Sequence, residues 1–289
     1  WNGSSWTEVA DLNQARDYLG GSGTSTSSLA SGGQPPAYAI TESWNGSSWT
    51  EVNDLNTARY AVGAGGVSNS SGIIYGGYTG TAYQAKTETW NGSSWTEEND
   101  LSTARGYVAT NNGIKSSALC ISGNAPPYTT ATEEFTLNGA VGAWATTSSL
   151  NTARDGLISG LGIQTAALAV GGSQTKTETE QYDGTSFSEV NDLNTGRKNG
   201  AGTGTTTAAL ASGGDTGPTG SGGHGVTTVE SWNGSSWTAG TAINTARQGL
   251  AGVGPSTATL VFGGYDNPDY NTQTEYWNGS SWTELNDLN

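Results

Sequence analysis

The sequence has no methionine, one cysteine and one histidine, and only 12% of its 289 residues are charged. A single cysteine excludes a disulfide within the chain, and Cys120 lies in an apolar segment, so we expect a buried thiol. A single histidine, His224, makes a catalytic triad or a histidine-rich metal centre hard to build. Without a methionine or a signal-like segment, the sequence is expected to be a processed product or a piece of a longer protein.

Basic residues are scarce as well. Ten Lys and Arg stand against 25 Asp and Glu, which gives a net charge of −15 and a pI of about 4.2. Phosphate and anionic lipid are bound by clustered Lys or Arg, so we predict no nucleic acid and no membrane as partner. No apolar run approaches the ~20 residues that span a bilayer.

One motif recurs from end to end. The hexapeptide WNGSSW begins at Trp1, Trp44, Trp90, Trp232 and Trp277, and degenerate copies run over 136–144 and 182–187. Every copy but the last is followed by an arginine, at steps of 43 to 50 residues. Repeats of this length are typical of propellers, arrays and solenoids.

Each repeat contains four β-rich runs. Asn-Gly between the last two predicts a type I′ hairpin, which places both Trp of WNGSSW on one face. The glycine-rich first run suits a strand where backbones approach closely, and the Trp suit the outer strands. The sequence therefore predicts an all-β fold, a single six-bladed β-propeller with four-stranded antiparallel blades, and one domain over 1–289. The predicted blades are 16–58, 59–104, 105–153, 154–196, 197–246 and 247–289.

The terminal strand is duplicated, because residues 1–13 repeat 277–289 almost letter for letter. Two copies therefore compete for the outer position of the last blade. The C-terminal copy has a local hairpin, whereas the N-terminal copy would join the two ends of the chain and protect the whole fold. We favour residues 1–13 as this closing strand. The alternative is that the spare strand serves self-association with a neighbouring molecule.

The repeat unit resembles a kelch repeat. An arginine opens the first strand, a second strand ends in Gly-Gly, as at Gly76-Gly77, and an aromatic residue and a Trp follow in the last two strands, as at Trp90 and Trp95. The hairpin also resembles the Asp-box of sialidase propellers, although it lacks the Asp. Arrays of near-identical WNGSSW units resemble those of tailed-phage structural proteins, which implies a virion-associated or extracellular location.

Ten repeat residues are assigned structural roles. The tryptophans are expected to be buried between blades, where Trp→Ala costs about 3–5 kcal/mol. The arginines are expected to pair with acidic residues of the repeat or to stack on Trp. These residues are Trp49, Trp95, Trp237, Trp282, Arg16, Arg59, Arg105, Arg154, Arg197 and Arg247.

No catalytic residue is assigned. The kelch-type copper oxidases need two histidine-class ligands and a Cys–Tyr pair, and sialidases need three clustered arginines, neither of which this sequence offers. Calcium is the one metal that its oxygen-bearing side chains suit, at Glu51, Asn53, Asp54 and Asn56 of each repeat, but a hydrogen-bonded turn explains that segment better. We therefore expect no cofactor and no metal.

The segments after Gly-Gly vary most between repeats, and variable loops on a constant scaffold commonly bind ligands. These loops, between strands two and three, predict a non-enzymatic binding or assembly scaffold for a glycan or a protein surface, with adhesion as one role. The alternative is a kelch- or sialidase-type propeller enzyme. The candidate ligand-binding residues are Tyr38, Tyr78, Tyr83, Tyr128, Asp215, His224, Tyr265, Asp266 and Tyr270.

Overall fold

The computed structural model describes residues 5, 7–110, 113–126, 128–139, 141–158, 161–217, 225–266 and 269–288. The chain divides into two compact units. The N-terminal unit is Val9–Ala153, and the C-terminal unit is Arg154–Asn289 together with Trp1–Glu8. Within the described residues every regular element is a strand, and no helix is long and apolar enough to cross a membrane.

The N-terminal unit holds three four-stranded antiparallel sheets, numbered one to three along the chain. Sheet one is β1 (Gly20–Thr24), β2 (Ser27–Ser31), β3 (Thr41–Trp44) and β4 (Trp49–Val52). Sheet two is β5 (Gly63–Ser68), β6 (Ser71–Tyr75), β7 (Thr87–Trp90) and β8 (Trp95–Glu97). Sheet three is β9 (Ala109–Thr110), β10 (Ser117–Ile121), β11 (Thr132–Asn138) and β12 (Val141–Thr146).

The C-terminal unit repeats this plan in sheets four to six and adds the short pair β23 (Tyr265–Asp266) and β24 (Asp269–Tyr270). Sheet four is β13 (Gly162–Ile163), β14 (Ala166–Val170), β15 (Thr179–Tyr182) and β16 (Phe187–Glu189). Sheet five is β17 (Ala201–Gly204), β18 (Ala209–Ser212), β19 (Val229–Trp232) and β20 (Trp237–Ala239). Sheet six is β21 (Ala251–Val253), β22 (Thr259–Phe262), β25 (Thr274–Trp277) and β26 (Trp282–Glu284). The prediction of an all-β fold with six four-stranded blades of the propeller type is confirmed.

The preference for residues 1–13 as the outer strand of the last blade is wrong. That position belongs to β26, which pairs with β25 so that Trp282 lies opposite Trp277. The local hairpin prevails because its ends are already close in the chain and little loop entropy opposes pairing. Of residues 1–13, Trp1–Ser4 and Trp6 lie outside the described residues, and Asn13 hydrogen-bonds Glu42 of sheet one at 2.7 Å.

The WNGSSW hairpin places its two tryptophans directly opposite each other, as at Trp90 and Trp95 in sheet two. The connection is not a two-residue type I′ turn, since Gly92 has a positive φ of 98° and Asn91 does not. Instead the Asn91 Oδ1 atom accepts hydrogen bonds from the backbone N–H groups of Ser93 and Ser94, both at 2.9 Å. The asparagine side chain therefore closes a four-residue loop.

The Gly-Gly pair ends the second strand because the next connection passes directly over it. In sheet two the Gly77 N–H donates to the Arg105 carbonyl at 2.8 Å. Gly76 has a φ of 63°, and a Cβ atom there would lie 2.5 Å from the Arg105 carbonyl oxygen. Both the conformation and the contact require glycine at this position.

Each repeat arginine forms a buried ion pair with a glutamate of the third strand in its own sheet. In sheet two the Arg59 guanidinium lies 3.0 Å from the Glu88 carboxylate, and the same carboxylate accepts two bonds from Asn56 at 2.7 Å. Burial lowers the pKa of Arg59 although Glu88 opposes that shift. The connection between sheets one and two, which carries Asn56 and Arg59, is thus anchored to the Glu88 carboxylate of a buried ion pair. The pairs are Arg16–Glu42, Arg59–Glu88, Arg105–Glu133, Arg154–Glu180, Arg197–Glu230 and Arg247–Glu275.

The degenerate copy in sheet three keeps an aromatic pair that the sequence pattern had not revealed. Phe135 of β11 lies opposite Trp144 of β12, with 5.2 Å between the ring centroids. Phe135 thus takes the position of Trp90 in sheet two, and the hairpin beyond it is longer. Its ring is fully buried in a cluster with Ile73 and Tyr75 of sheet two.

Candidate functional site

Five tyrosines of the N-terminal unit form one continuous aromatic surface. The ring centroids of Tyr107 and Tyr18 are 5.9 Å apart, those of Tyr18 and Tyr60 6.4 Å, those of Tyr60 and Tyr78 5.6 Å, and those of Tyr78 and Tyr83 4.8 Å. Tyr18 is 55% exposed and Tyr107 40% exposed, and the other three are half-buried. We call these five residues the tyrosine surface.

The backbone of three consecutive sheets positions Tyr18 and Tyr107. Both residues stand two places after a repeat arginine and have left-handed φ values of 49° and 52°. Ala61 occupies the same place in sheet two, with a φ of 52°. The Ala61 N–H donates to the Tyr18 carbonyl at 2.9 Å, and the Tyr107 N–H donates to the Ala61 carbonyl at 3.0 Å. Two large side chains are therefore held in a conformation that costs about 1–2 kcal/mol for an L-residue.

A tight hairpin positions the other three rings. Tyr60 and Tyr78 exchange backbone hydrogen bonds at 3.0 and 2.8 Å, and Tyr78 also lies opposite Tyr83 as a bridge. Between them the Thr79 hydroxyl accepts a bond from the Ala82 N–H at 3.1 Å. The loop after Gly-Gly is thus a closed turn in this repeat, and its two tyrosines are fixed relative to Tyr60.

The electrostatics of the surface keep the Tyr107 phenol protonated. Burial, together with the neighbouring phenols of Tyr60, Tyr18, Tyr83 and Tyr78, raises the pKa of Tyr107 to about 12. At neutral pH this hydroxyl is therefore a hydrogen-bond donor and acceptor rather than a phenolate. Flat apolar rings combined with hydroxyl groups suit a ligand that presents both C–H faces and hydroxyls.

Two predicted site residues, Tyr78 and Tyr83, lie in the tyrosine surface. Tyr38 and Tyr128 are half-buried, and among the described residues neither forms a ring pair with a member of the tyrosine surface. The Tyr38 backbone instead joins two segments, since its N–H donates to Gly33 at 2.7 Å and its carbonyl accepts from Arg59 at 3.0 Å.

The remaining predicted residues belong to the C-terminal unit. Asp215 is buried, pairs with Lys198 at 3.3 Å and accepts a bond from the Gly217 N–H at 2.7 Å. Asp266 accepts a bond from the Gly225 N–H at 3.2 Å. Tyr265 and Tyr270 have ring centroids 6.3 Å apart, and Tyr270 is 89% exposed. His224 lies outside the described residues.

Sequence reasoning missed Tyr18, Tyr60 and Tyr107. A signal was available, because each follows its repeat arginine by one or two residues. At these places the repeats of the C-terminal unit carry Asp, Gly, Lys, Asn or Gln. The prediction considered only the loops after Gly-Gly, and it therefore missed this difference between the two units.

Acidic, histidine and cysteine side chains do not cluster in the described part of the chain, since no three of them gather at one place. Cys120 is buried and accepts a bond from the Arg105 Nε atom at 3.3 Å, and burial raises the pKa of its thiol. Asp54 and Asn56, considered for calcium, hydrogen-bond Thr41 and Glu88. The expectation of no cofactor and no metal stays a prediction.

Comparison with solved structures relates the whole chain to known proteins. The chain is similar to the structure of YjhT, with 11% identity, a TM-score of 0.69, and coverage of 96% of this chain and 99% of that one. It is also similar to a novel fungal alcohol oxidase of the AA5 family in complex with copper, with 15% identity, a TM-score of 0.71, and coverage of 100% and 68%. No family model and no curated protein matches the chain. At these identities the likeness establishes the fold alone.

The comparison contradicts the expectation of a non-enzymatic binding or assembly scaffold. An alcohol oxidase shares the fold that had been assigned to a scaffold, over the whole of this chain and 68% of the oxidase. A fold supports many functions, so a repeat architecture with variable loops carries no preference for a scaffold. The alternative, a propeller enzyme, agrees better with the comparison.

Proposed function

We propose that this chain is a kelch-type propeller enzyme that binds a hydroxylated substrate, an alcohol or a sugar, on the tyrosine surface. The observation that carries the proposal is the convergence of five phenols on one unit, two of them on left-handed backbone positions. The left-handed position recurs two residues after every repeat arginine, and only in this unit does it carry a tyrosine, at Tyr18 and Tyr107.

The chemistry of the surface supports this class of substrate. Alcohols and sugars present hydroxyl groups beside apolar C–H groups, and a tyrosine ring offers an apolar face with a hydroxyl that donates and accepts. The likeness to an alcohol oxidase adds support for a substrate of the same chemistry. The repeat arginines take no part, because all six are held by glutamates.

Tyr107 has the central role in this proposal. With its pKa raised to about 12, it keeps its proton at the Oη atom under neutral conditions. It then donates a hydrogen bond to a substrate oxygen that gains negative charge during the reaction. Tyr18, in edge contact with Tyr107, and Tyr60 line the adjacent part of the surface.

The test removes two rings without disturbing the backbone. In Tyr18→Asn/Tyr107→Asn, asparagine replaces tyrosine at a left-handed position that Asn199 already occupies in the C-terminal unit, with a φ of 54°. Turnover of a panel of glycosides and primary alcohols is measured with and without added copper, and substrate binding is followed by calorimetry. We expect kcat/KM to fall about 10²-fold, since each lost contact is worth on the order of tenfold.

Tyr270→Asn is the matched control, because Tyr270 is exposed and lies in the other unit. It is expected to leave kcat/KM unchanged. Equal losses of kcat/KM in the control and the double variant would show that the substrate does not bind on the tyrosine surface. Binding of the panel without turnover by the wild-type chain would contradict the enzymatic function itself.

A further inference from the structure

Four copies of the WNGSSW hairpin present an exposed asparagine whose side-chain oxygen accepts several hydrogen bonds. In sheet one the Asn45 Oδ1 atom accepts from the Ser47 N–H at 2.9 Å, the Ser48 N–H at 3.0 Å and the Ser47 hydroxyl at 2.9 Å. The Asn45 Nδ2 atom donates to the Ser48 hydroxyl at 3.3 Å. The same three bonds to Oδ1 recur at Asn91, Asn233 and Asn278. The copy at Asn2 lies outside the described residues.

Each of these asparagines precedes a glycine, and this pair is chemically labile. The backbone nitrogen of the residue after an asparagine can attack the side-chain amide carbon, and glycine obstructs that attack least because it has no side chain. Gly46 is exposed and has a positive φ of 94°. The attack places negative charge on the amide oxygen, and donors that already point at that oxygen stabilise the charge without reorganisation. In this loop three donors surround the atom that would carry it.

The hairpin of sheet four shows that the loop accepts the product of this reaction. It carries Asp183-Gly184 in place of Asn-Gly, and the Asp183 Oδ1 atom accepts from the Thr185 and Ser186 N–H groups, both at 2.8 Å. Gly184 has a φ of 93°, close to the 94° of Gly46. The backbone N–H groups of Ser186 and Thr185 lower the pKa of Asp183, so the loop favours the carboxylate.

We propose that the asparagines of these four hairpins deamidate spontaneously and that each hairpin thereby takes the Asp-Gly form of sheet four. At Asn45 the Gly46 backbone nitrogen forms a bond to Cγ, the Cγ–Nδ2 bond breaks, and ammonia leaves with the proton of that nitrogen. The resulting cyclic imide takes up one water molecule. The hydroxyl of the water adds to Cγ, the ring C–N bond breaks, and the proton returns to the Gly46 nitrogen. The net change converts one amide and one water into one carboxylate and one ammonium ion.

Aspartate, rather than isoaspartate, is the product that the folded hairpin accommodates. Water that adds to the other imide carbonyl gives isoaspartate, which inserts an extra atom into the main chain. That atom would disturb the register that sets Trp44 opposite Trp49. Each conversion adds one negative charge to a chain whose net charge is −15, so the modified forms separate by charge. This inference is independent of the proposed enzymatic function, since the hairpins contain no residue of the tyrosine surface.

The hairpin of sheet three supplies a matched control within the same chain. Asn138 is exposed, precedes Gly139 and lies opposite Val141. Its side chain makes no hydrogen bond to any described residue. Gly139 also has a positive φ, of 78°. The two kinds of hairpin therefore share an exposed Asn-Gly pair and differ in the donors that point at Oδ1.

The experiment measures the rate of deamidation at each site separately. The whole chain is incubated at mildly alkaline pH in water enriched in heavy oxygen, and peptide mapping by mass spectrometry follows the new carboxylates. The four hairpins are expected to convert about tenfold faster than Asn138, because several donors stabilise the charge on Oδ1. In concentrated urea the rates should converge, since the loops are lost and only the shared Asn-Gly pair remains.

Two variants test the mechanism and the product. Ser47→Ala removes the hydroxyl donor, keeps both backbone donors, and is expected to slow conversion of Asn45 about three- to fivefold while Asn91 stays unchanged. Asn45→Asp is expected to keep the wild-type melting temperature, because the Asp183 loop already holds the same backbone bonds. Conversion of the four hairpins no faster than that of Asn138 overturns the proposal, because the bonds to Oδ1 then restrain the amide instead of activating it. A predominant isoaspartate product, or a lowered melting temperature of Asn45→Asp, would refute conversion to the form of sheet four.

Discussion

The ring of Tyr18 meets the ring of Tyr107 edge to face, with 5.9 Å between the centroids and 79° between the ring planes. The two residues belong to sheets one and three, and Ala61 of the intervening sheet bonds to the backbone of both. These two backbone bonds run from sheet one through Ala61 to sheet three. The tyrosine surface therefore depends on the backbone of the intervening sheet as well as on the two rings.

The raised pKa of Tyr107 predicts a distinct alkaline titration. The folded-state pKa of about 12 exceeds the ordinary value near 10, so folding favours the protonated phenol. This contribution to stability is fully present below about pH 10 and is lost as the pH rises through about 12. In a phenolate absorbance titration, Tyr107→Phe should remove one phenol that titrates near pH 12, and the variant should lose less stability over this window than the wild type. A Tyr107 phenolate that forms near pH 10 would contradict the prediction.

A comparison of Gly76 with Gly80 separates the cost of a left-handed backbone from the cost of a steric clash. Both have positive φ values, 63° and 92°, but an added Cβ lies 2.5 Å from a carbonyl oxygen only at Gly76. Gly80→Ala is expected to cost about 1–2 kcal/mol, from the left-handed backbone alone. Gly76→Ala should cost more than about 3 kcal/mol, since the clashing atom is backbone. Urea unfolding of both variants checks the difference, and equal losses would show that the contact is relieved without cost.

Glu88 and Glu97 compare a buried ion pair with an exposed one in the same sheet. Glu88 pairs with Arg59 where both side chains are buried, whereas Glu97 pairs with Lys86 at 2.7 Å and is 49% exposed. Glu88→Gln leaves the Arg59 charge uncompensated and is expected to destabilise the fold by about 3–5 kcal/mol. Glu97→Gln should change the free energy of unfolding by no more than about 1 kcal/mol. Denaturant midpoints measure both losses. Similar values for the two variants would contradict the prediction that the buried ion pair contributes more to stability than the exposed one.

Trp95 and Trp49 occupy equivalent places but differ in burial. Trp95→Ala should cost about 3–5 kcal/mol, because a large buried side chain and its bond to Thr41 are lost. The same figure was expected of Trp49 from sequence, but its half-exposed ring in sheet one now predicts a smaller loss. Thermal unfolding at low protein concentration makes the comparison, and an equal or greater loss at Trp49 would contradict it.

Two of the five residues of the tyrosine surface were predicted from the sequence. Tyr78 and Tyr83 were found because they lie in a loop that varies between repeats. Tyr18 and Tyr107 were not, because their meeting depends on hydrogen bonds that run from sheet one through Ala61 to sheet three. Such contacts join residues far apart in the chain, and no local pattern encodes them.

The sequence by itself determined the six sheets of four strands, because strand alternation, the Asn-Gly-Ser-Ser loop and the Gly-Gly pair act over a few neighbouring residues. Only the tertiary structure decided that the C-terminal copy fills sheet six, that each arginine takes a glutamate of its own sheet, and that five tyrosines converge. Near-identical repeats offer several equivalent partners to every residue. Which partner is taken depends on the packing of whole sheets, and that is a long-range property of the folded chain.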